Sequence, residues 1–115
     1  MESLGSFVRR LSESIGCYYH STQSVYALQK FNSNIKGKMG VFGWVSELKR
    51  KNLFRVDTYI RLGDKAGVSG LADGTKEGAH FNKDGIGIFF CVINGSQGED
   101  YQKAIKALKP IIALK

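Results

Sequence analysis

The sequence predicts an α+β fold, in which an antiparallel sheet of four to five strands has an N-terminal helix and a C-terminal helix packed on one face. Three observations predict it: apolar residues at helical spacing near both ends, alternation of apolar and polar residues over Leu53 to Leu62, and short β-prone runs joined by turn residues. Helices that flank consecutive strands most simply cover one side of the sheet. The 115 residues are expected to form a single domain over residues 1–115.

The first helix is predicted over Glu2 to Ile15, and Gly16 follows as its C-terminal stop. The apolar residues that recur at helical spacing are Leu4, Phe7, Val8, Leu11 and Ile15. Two β-prone segments come next, Cys17 to His20 and Val25 to Phe31, separated by a polar break. Residues 32–37, NSNIKG, predict a turn.

The central feature is a hairpin formed by Gly40 to Leu48 and Leu53 to Leu62, which four residues connect. Pairing Leu48 with Leu53 sets Val45 beside Val56 and Val41 beside Ile60 on the face toward the helices. The opposite face is then predicted to carry Gly40, Phe42, Trp44, Ser46, Arg55, Asp57, Tyr59 and Arg61.

The last third of the chain begins with residues 63–85, whose six glycines alternate with charged residues and predict a long surface loop that is either mobile or functional. Gly85 to Ile93 is apolar on both faces, which predicts a central strand covered on both sides or one beside an aromatic surface. Ser96 and Glu99 have capping-box spacing, so we expect a helix to begin there. Pro110 is expected to end or bend that helix at about Lys109.

Composition and charge restrict the class of protein. A hydrophobic fraction of 43% excludes a wholly disordered chain, and no apolar run approaches the roughly 20 residues that span a bilayer. The amino terminus lacks the apolar core of a signal peptide, so we expect a cytoplasmic protein with no membrane partner. Residues 36–65 carry eight basic and three acidic residues, a net +5 of the chain's +7. A basic excess on one hairpin favours a polyanionic partner, most often nucleic acid, although a basic soluble protein without one remains the alternative.

The aromatic and cationic face of the hairpin is the predicted site. Rings of Trp44, Tyr59 and Phe42 are expected to stack on nucleobases, and Arg55 and Arg61 to contact phosphate. Asp57 in this face would repel phosphate unless it pairs with an arginine. The basic hairpin tip, Lys49, Arg50 and Lys51, either contacts a phosphate backbone or is a solvated turn. The alternative for Phe42 and Trp44 is packing as ordinary core.

Other chemistry finds little support in the sequence. Glu47 and Lys49 give an E-x-K fragment of a nuclease motif, but no earlier strand supplies the second carboxylate that Mg²⁺ needs. The soft ligands are Cys17, His20, His80 and Cys91, which do not form two tight zinc-binding pairs. The glycine-rich loop matches no phosphate-cradling motif. We therefore expect no enzyme activity, no metal and no cofactor.

The chain also resembles a small domain of unknown function that occurs alone or at the carboxyl end of restriction-associated DUF262-type (GmrSD-like) and "predicted transport" proteins. The resemblance rests on the first helix ending in Ile15 and Gly16, on the segments YYHSTQSVYALQKF and VFGWV, on KRKNLFRVDTYIRL, and on EGAHFNKDGIG with His80 followed by Phe81. It implies an accessory, non-catalytic domain, often in DNA defence, and supplies no catalytic residue.

The function predicted from the sequence is therefore a nucleic-acid-binding accessory domain, with DNA or RNA and single or double strands left open. The alternative is a protein-interaction or assembly module that buries the same aromatic face against a protein partner or in a homo-oligomer. An enzyme with a small-molecule pocket beneath the glycine-rich loop is a weaker third hypothesis.

Overall fold

A computed structural model of the chain describes residues 2–23, 25–30, 40–48, 53–61, 72–73 and 86–113. The described residues confirm the α+β class, with an N-terminal and a C-terminal helix on one face of an antiparallel sheet. The described part of the chain contains no helix long and apolar enough to cross a membrane. The predicted turn at residues 32–37 and most of the predicted loop at 63–85 lie outside the described residues.

Helix α1 spans Leu4–Ile15, within one turn of its predicted limits. Ser3 caps its start, because the Ser3 hydroxyl accepts a hydrogen bond from the Ser6 backbone N–H at 3.2 Å. Gly16 ends the helix with a φ of +80°, and its N–H donates to the Ser12 carbonyl at 2.9 Å. That left-handed conformation strains any residue with a Cβ, which is why glycine stops the helix here.

Six strands form one sheet in the described residues. They are β1 (Tyr18–Ser21), β2 (Tyr26–Gln29), β3 (Val41–Glu47), β4 (Phe54–Arg61), β5 (Ala72–Asp73) and β6 (Ile86–Ile93). The sheet order is β1-β2-β3-β4-β6-β5, and every neighbouring pair is antiparallel. Five strands have four or more residues, as predicted. The two-residue β5 is the addition, pairing with Phe89 and Phe90 at one edge of the sheet.

The main core lies between the sheet and the two helices, on what we call the helix face. The Phe7 ring of α1 stacks on the Phe54 ring of β4 with centroids 4.2 Å apart, and Tyr101 meets Phe7 edge-on at 6.0 Å. Other fully or almost fully buried members are Val8, Leu11, Leu28, Val45, Val56, Ile60, Ile93, Leu108 and Ile111. The opposite side of the sheet is called the outer face below.

Helix α2 spans Glu99–Ala113 and continues through Pro110. The expectation that the helix ends at about Lys109 is therefore wrong. Proline removes one helical hydrogen bond, but contacts beyond it hold the last turn. Ile111 is 1% exposed in the core, and its carbonyl accepts a hydrogen bond from the buried Lys30 Nζ at 2.7 Å. A cation at the carboxyl end of a helix also satisfies the negative end of its dipole.

The start of α2 also differs from the expectation. The helix begins at Glu99, and Ser96 is bound instead by Glu2, whose carboxylate accepts from the Ser96 N–H at 2.9 Å and from its hydroxyl at 2.7 Å. Arg10 lies 3.7 Å from the same carboxylate. A contact from the other end of the chain therefore takes the place of the predicted capping box.

The predicted register of the central hairpin is confirmed near its tip. The Leu48 N–H donates to the Leu53 carbonyl at 2.9 Å and closes the hairpin. Beyond it Ser46 pairs with Arg55, Val45 with Val56, and Trp44 with Asp57. The alternation of side chains then places Val45 and Val56 on the helix face and the other pairs on the outer face.

The alternation fails further along β3, at a β-bulge. Leu28 of β2 pairs with Gly43 but the next residue, Gln29, pairs with Val41, so Phe42 is an extra residue without a partner in β2. The expectation that Phe42 lies on the outer face is therefore wrong: its ring is 0% exposed in the core under the helices. Val41, expected toward the helices, instead joins the outer face.

Gly43 provides a test of the close approach of β3 to β4 beside the bulge. A Cβ on Gly43 would collide with the Asp57 carbonyl oxygen, whereas one on Gly98 would meet no atom within 4 Å. We expect Gly43→Ala to lower the free energy of unfolding by about 2 kcal/mol and Gly98→Ala, at the residue before α2, to change it by less than about 1 kcal/mol. Urea unfolding of both variants measures the difference, and equal stabilities would contradict the close backbone approach.

Candidate functional site

The predicted basic tip of the hairpin is not among the described residues, and only the two residues that flank it are. Lys49, Arg50 and Lys51 stand between Leu48 and Leu53, the two residues whose backbone hydrogen bond closes the hairpin, and they lie outside the described residues. Arg61 is the last residue of β4 and pairs with Ile86, but its side chain also lies outside the described set. The structure therefore gives no side-chain position for these four residues, and all five predicted phosphate contacts, Arg55 included, stay predictions.

Arg55 is the predicted cation whose side chain the structure describes. Its guanidinium lies over the Phe90 ring of β6, with the Cζ atom 3.9 Å from the ring centroid. Its Nε donates to Asp57 Oδ1 at 2.9 Å. The Arg55 side chain is 24% exposed, so it lies at the surface of the protein. Its contacts with Phe90 and Asp57 fix its position there.

Asp57 therefore pairs with an arginine, which is the condition under which its charge would not repel phosphate. Arg55 and Asp57 are two positions apart on β4, and successive side chains alternate across the pleat, so both project from the outer face. The ion pair is partly exposed, at 24% and 22%, and such pairs contribute little to stability. Its effect is on geometry, because it fixes the direction of the Arg55 guanidinium above Phe90.

Trp44 and Tyr59 belong to a second, smaller cluster on the outer face. Tyr59 is 6% exposed, and the cluster also contains Ala27 and Val41, with Trp44 and Ile88 packed against it as partly buried members. The pKa of Tyr59 is raised to about 12, chiefly by burial; the neighbouring Trp44 side chain lowers it and the Asp57 charge raises it. Tyr59 is therefore buried in this cluster and is not presented as an open stacking surface, although the sequence predicts that its ring stacks on a nucleobase.

A shallow groove runs along this cluster. Its volume is about 310 Å³, and it is lined by Val25, Trp44, Ser46, Asp57, Tyr59 and Ile88. Trp44 and Ser46 line it from β3, and Ile88 from β6, so the groove crosses three adjacent strands. Farther along β6 on the same face, Val92 is 40% exposed and lies directly opposite Arg55.

The predicted site residues thus divide into three groups. Arg55 stays at the surface and gains Phe90 and Val92 as neighbours on β6, two residues that the sequence reasoning did not single out. Trp44 lines the groove while Tyr59 is buried beside it. Phe42 lies on the other side of the sheet and cannot contact a ligand there. The sequence did contain a signal that Phe90 lies on the outer face, because residues 85–93 are apolar on both faces of the strand.

Soft metal ligands and nucleophiles do not converge in the described residues. No group of three or more histidine, cysteine or acidic side chains there could hold a metal ion, and His80 lies outside them. Cys17 and Cys91 are free thiols, and burial raises their pKa to about 11 and about 12 respectively. Thiols with raised pKa are poorly nucleophilic at neutral pH.

Comparison with known proteins identifies no relative: no family model, no curated protein and no solved structure matches this chain. The resemblance to the small domain of DUF262-type proteins therefore stays a prediction from the sequence.

The buried Tyr59 hydroxyl predicts a loss of stability at high pH. An unfolded tyrosine ionises near pH 10, whereas folded Tyr59 has a pKa of about 12, so the folded state is favoured below pH 10 and loses that advantage as the pH rises toward 12. Urea unfolding between pH 8 and pH 12 should show a shallower decline for Tyr59→Phe than for the wild type.

Tyr18→Phe is the matched control, because the Tyr18 side chain is 70% exposed. It should leave the alkaline decline at its wild-type steepness. The partly buried thiols of Cys17 and Cys91 add a parallel loss from about pH 9 upward in all three proteins. A Tyr59→Phe profile that coincides with the wild-type profile would contradict the burial of this hydroxyl.

Proposed function

We propose that the chain is a non-catalytic nucleic-acid-binding domain that grips phosphates with the hairpin tip and stacks a nucleobase beside Arg55 and Phe90. The observation that carries the proposal is the Arg55 guanidinium held over the Phe90 ring by Asp57, at the tip end of the most basic segment of the chain. Planar cations and rings bind bases through stacking and phosphates through charge.

Preorganisation supports a binding role for Arg55. A free arginine loses rotamer entropy when it binds, whereas one already fixed between a ring and a carboxylate loses less. Phe90 and Val92 on β6 provide apolar surface beside it, and Val92 is 40% exposed. A base lying on this part of the outer face would place its phosphates toward the hairpin tip, where the sequence has Lys49, Arg50 and Lys51.

Binding can be followed through Trp44, the single tryptophan of the chain. It lines the groove two strands away from Phe90 and next to Asp57, so a ligand on the outer face changes its surroundings. We expect labelled single-stranded or duplex oligonucleotides to quench Trp44 fluorescence, with an affinity that falls linearly on a logarithmic salt scale. The strand form that binds more tightly identifies the preferred ligand.

The role of the tip is tested by comparing two triple variants that lose the same charge. Replacing Lys49, Arg50 and Lys51 by glutamine should reduce the slope of log affinity against log salt by about 2 to 3, since each phosphate contact contributes about 0.7 to 0.9. Replacing the exposed Lys103, Lys106 and Lys109 of α2 by glutamine should leave that slope unchanged. Equal slopes in the two variants would mean that only the overall charge matters and would reject the tip as the contact.

Arg55 is tested separately from the tip. Arg55→Gln should weaken binding about tenfold, or about 1.4 kcal/mol, because both the stacking surface and the charge are lost. Arg9→Gln, on the exposed side of α1, removes the same charge far from the outer face and should bind as the wild type does. Unchanged affinity in Arg55→Gln, or no oligonucleotide binding by the wild type even at low salt, would reject the proposal.

The second candidate is a protein-interaction or assembly module that uses the same outer face. Exposed Val92 and the apolar groove wall formed by Val25, Trp44 and Ile88 favour it, because apolar side chains are common at the centre of protein interfaces. Under this alternative Val92→Lys would abolish association with the protein partner. The wild type would bind no oligonucleotide.

A further inference from the structure

Strand β1 forms one edge of the sheet that the described residues build, and its residues are exposed along the whole strand. It stands at the end of the strand order, and all four of its residues, Tyr18–Ser21, are exposed. Tyr18 is 70% exposed and Tyr19 is 39% exposed, which places two of the three most exposed large apolar side chains of the described residues on this short strand. An exposed edge strand is a template for pairing with another strand.

The backbone groups available at this edge follow from the turn between β1 and β2. The Thr22 N–H donates to the Val25 carbonyl at 2.9 Å, which makes these two residues a hydrogen-bonded pair. Hydrogen-bonded and non-hydrogen-bonded pairs alternate along an antiparallel ladder, so His20 and Tyr18 bond toward β2. The N–H and C=O groups of Tyr19 and Ser21 therefore point away from the sheet.

The edge lacks the features that normally prevent pairing. Natural sheets protect exposed edges with lysine, other charges, proline or bulges. Residues 18–23, YYHSTQ, contain no lysine, arginine, aspartate, glutamate or proline, in a chain with 17 basic residues. The pairing of β1 with β2 is regular, with no bulge.

We infer that β1 pairs with β1 of a second copy of this chain. The charge pattern selects this occupant: two chains of net charge +7 repel over most of their surfaces, but residues 18–23 present no charged lysine or arginine to a copy of themselves. The pairing is also self-complementary, because an antiparallel edge can meet its own copy about a twofold axis.

The available backbone groups fix the register of this dimer. A twofold axis at His20 sets Tyr19 opposite Ser21 of the second copy, and Ser21 opposite Tyr19 of that copy. Each of these two pairs exchanges two N–H···O bonds, so all the outward groups are used. His20 then faces its own copy in the close, non-hydrogen-bonded position at the centre.

The same axis is perpendicular to the sheet, so the two sheets join into one, with the helices of both copies on one side and both outer faces on the other. The inference does not depend on the proposed function. A ladder of four residues per chain is short and buries less than the about 1,200 Å² of a standard interface, so we expect a dimer that dissociates on dilution.

Sedimentation equilibrium of the full chain tests the inference. Over a concentration series up to about 300 µM, we expect the mean mass to rise from 12.7 kDa toward twice that value. His20→Lys should keep the chain monomeric throughout, because two lysines would lie directly opposite each other. Gln23→Lys adds the same charge in the turn beyond the strand and should dimerise as the wild type does.

A second variant tests the backbone hydrogen bonds without adding charge. Ser21→Pro removes an N–H that points away from β2, a position where proline is tolerated on edge strands. It should abolish the mass increase while its circular dichroism and thermal midpoint stay close to the wild-type values. Val92→Lys, on the outer face, should leave the dimer intact.

Three results would overturn the inference. The first is a wild type that stays monomeric at the highest concentration. The second is a dimer that survives in both His20→Lys and Ser21→Pro, with each variant folded. The third is a dimer lost in Val92→Lys but kept in Ser21→Pro, because association would then run through the outer face.

Discussion

The extra residue in β3 decides which side chains of the central hairpin meet the helices and which lie on the outer face. In a regular ladder Phe42 and Trp44 would share a face, but the bulge moves Phe42 into the core and Val41 to the opposite side. The core thereby gains a fully buried ring. Next to the bulge, Gly43 is required because its backbone approaches the Asp57 carbonyl too closely for a Cβ.

The bulge also divides the outer face into two parts with different properties. On the side of the bulge, Val41, Ala27 and Tyr59 form a packed patch with little exposed area. Toward the hairpin tip the ladder is regular, and Arg55 lies over Phe90 beside an exposed Val92. The partly exposed apolar surface of this face is therefore at the end nearest Leu48 and Leu53, where Phe90 lies under a cation rather than inside the packed cluster.

Much of the fold could be predicted because its signals are local. The alternation in β4 gives the correct face for each of its residues up to Ile60, and the short connection gives the correct register near the tip. The bulge breaks the alternation at a single residue, Phe42. Phe42 and Trp44 are both large aromatic residues, so the sequence does not indicate that one lies on the helix face and the other on the outer face. Two further contacts were out of reach because their residues are far apart in sequence: Glu2 with Ser96, 94 positions apart, and Lys30 with Ile111, 81 positions apart. The Arg55 and Phe90 contact likewise required the order of the strands.

The order of the strands also has a consequence for how the chain folds. From β1 to β4 each strand pairs with the next one along the chain, whereas β6 reaches β4 across residues 62–85, and α1 meets α2 from opposite ends of the sequence. Closing a 24-residue segment costs about 1.6 kcal/mol more in chain entropy than closing the four-residue hairpin loop. The four-strand meander can therefore nucleate first, and the arrival of β6 and α2 completes the core. Until then α1 covers the helix face of the meander without α2, and the apolar area that α2 will cover is exposed, so an unfinished chain is most vulnerable to aggregation at this stage.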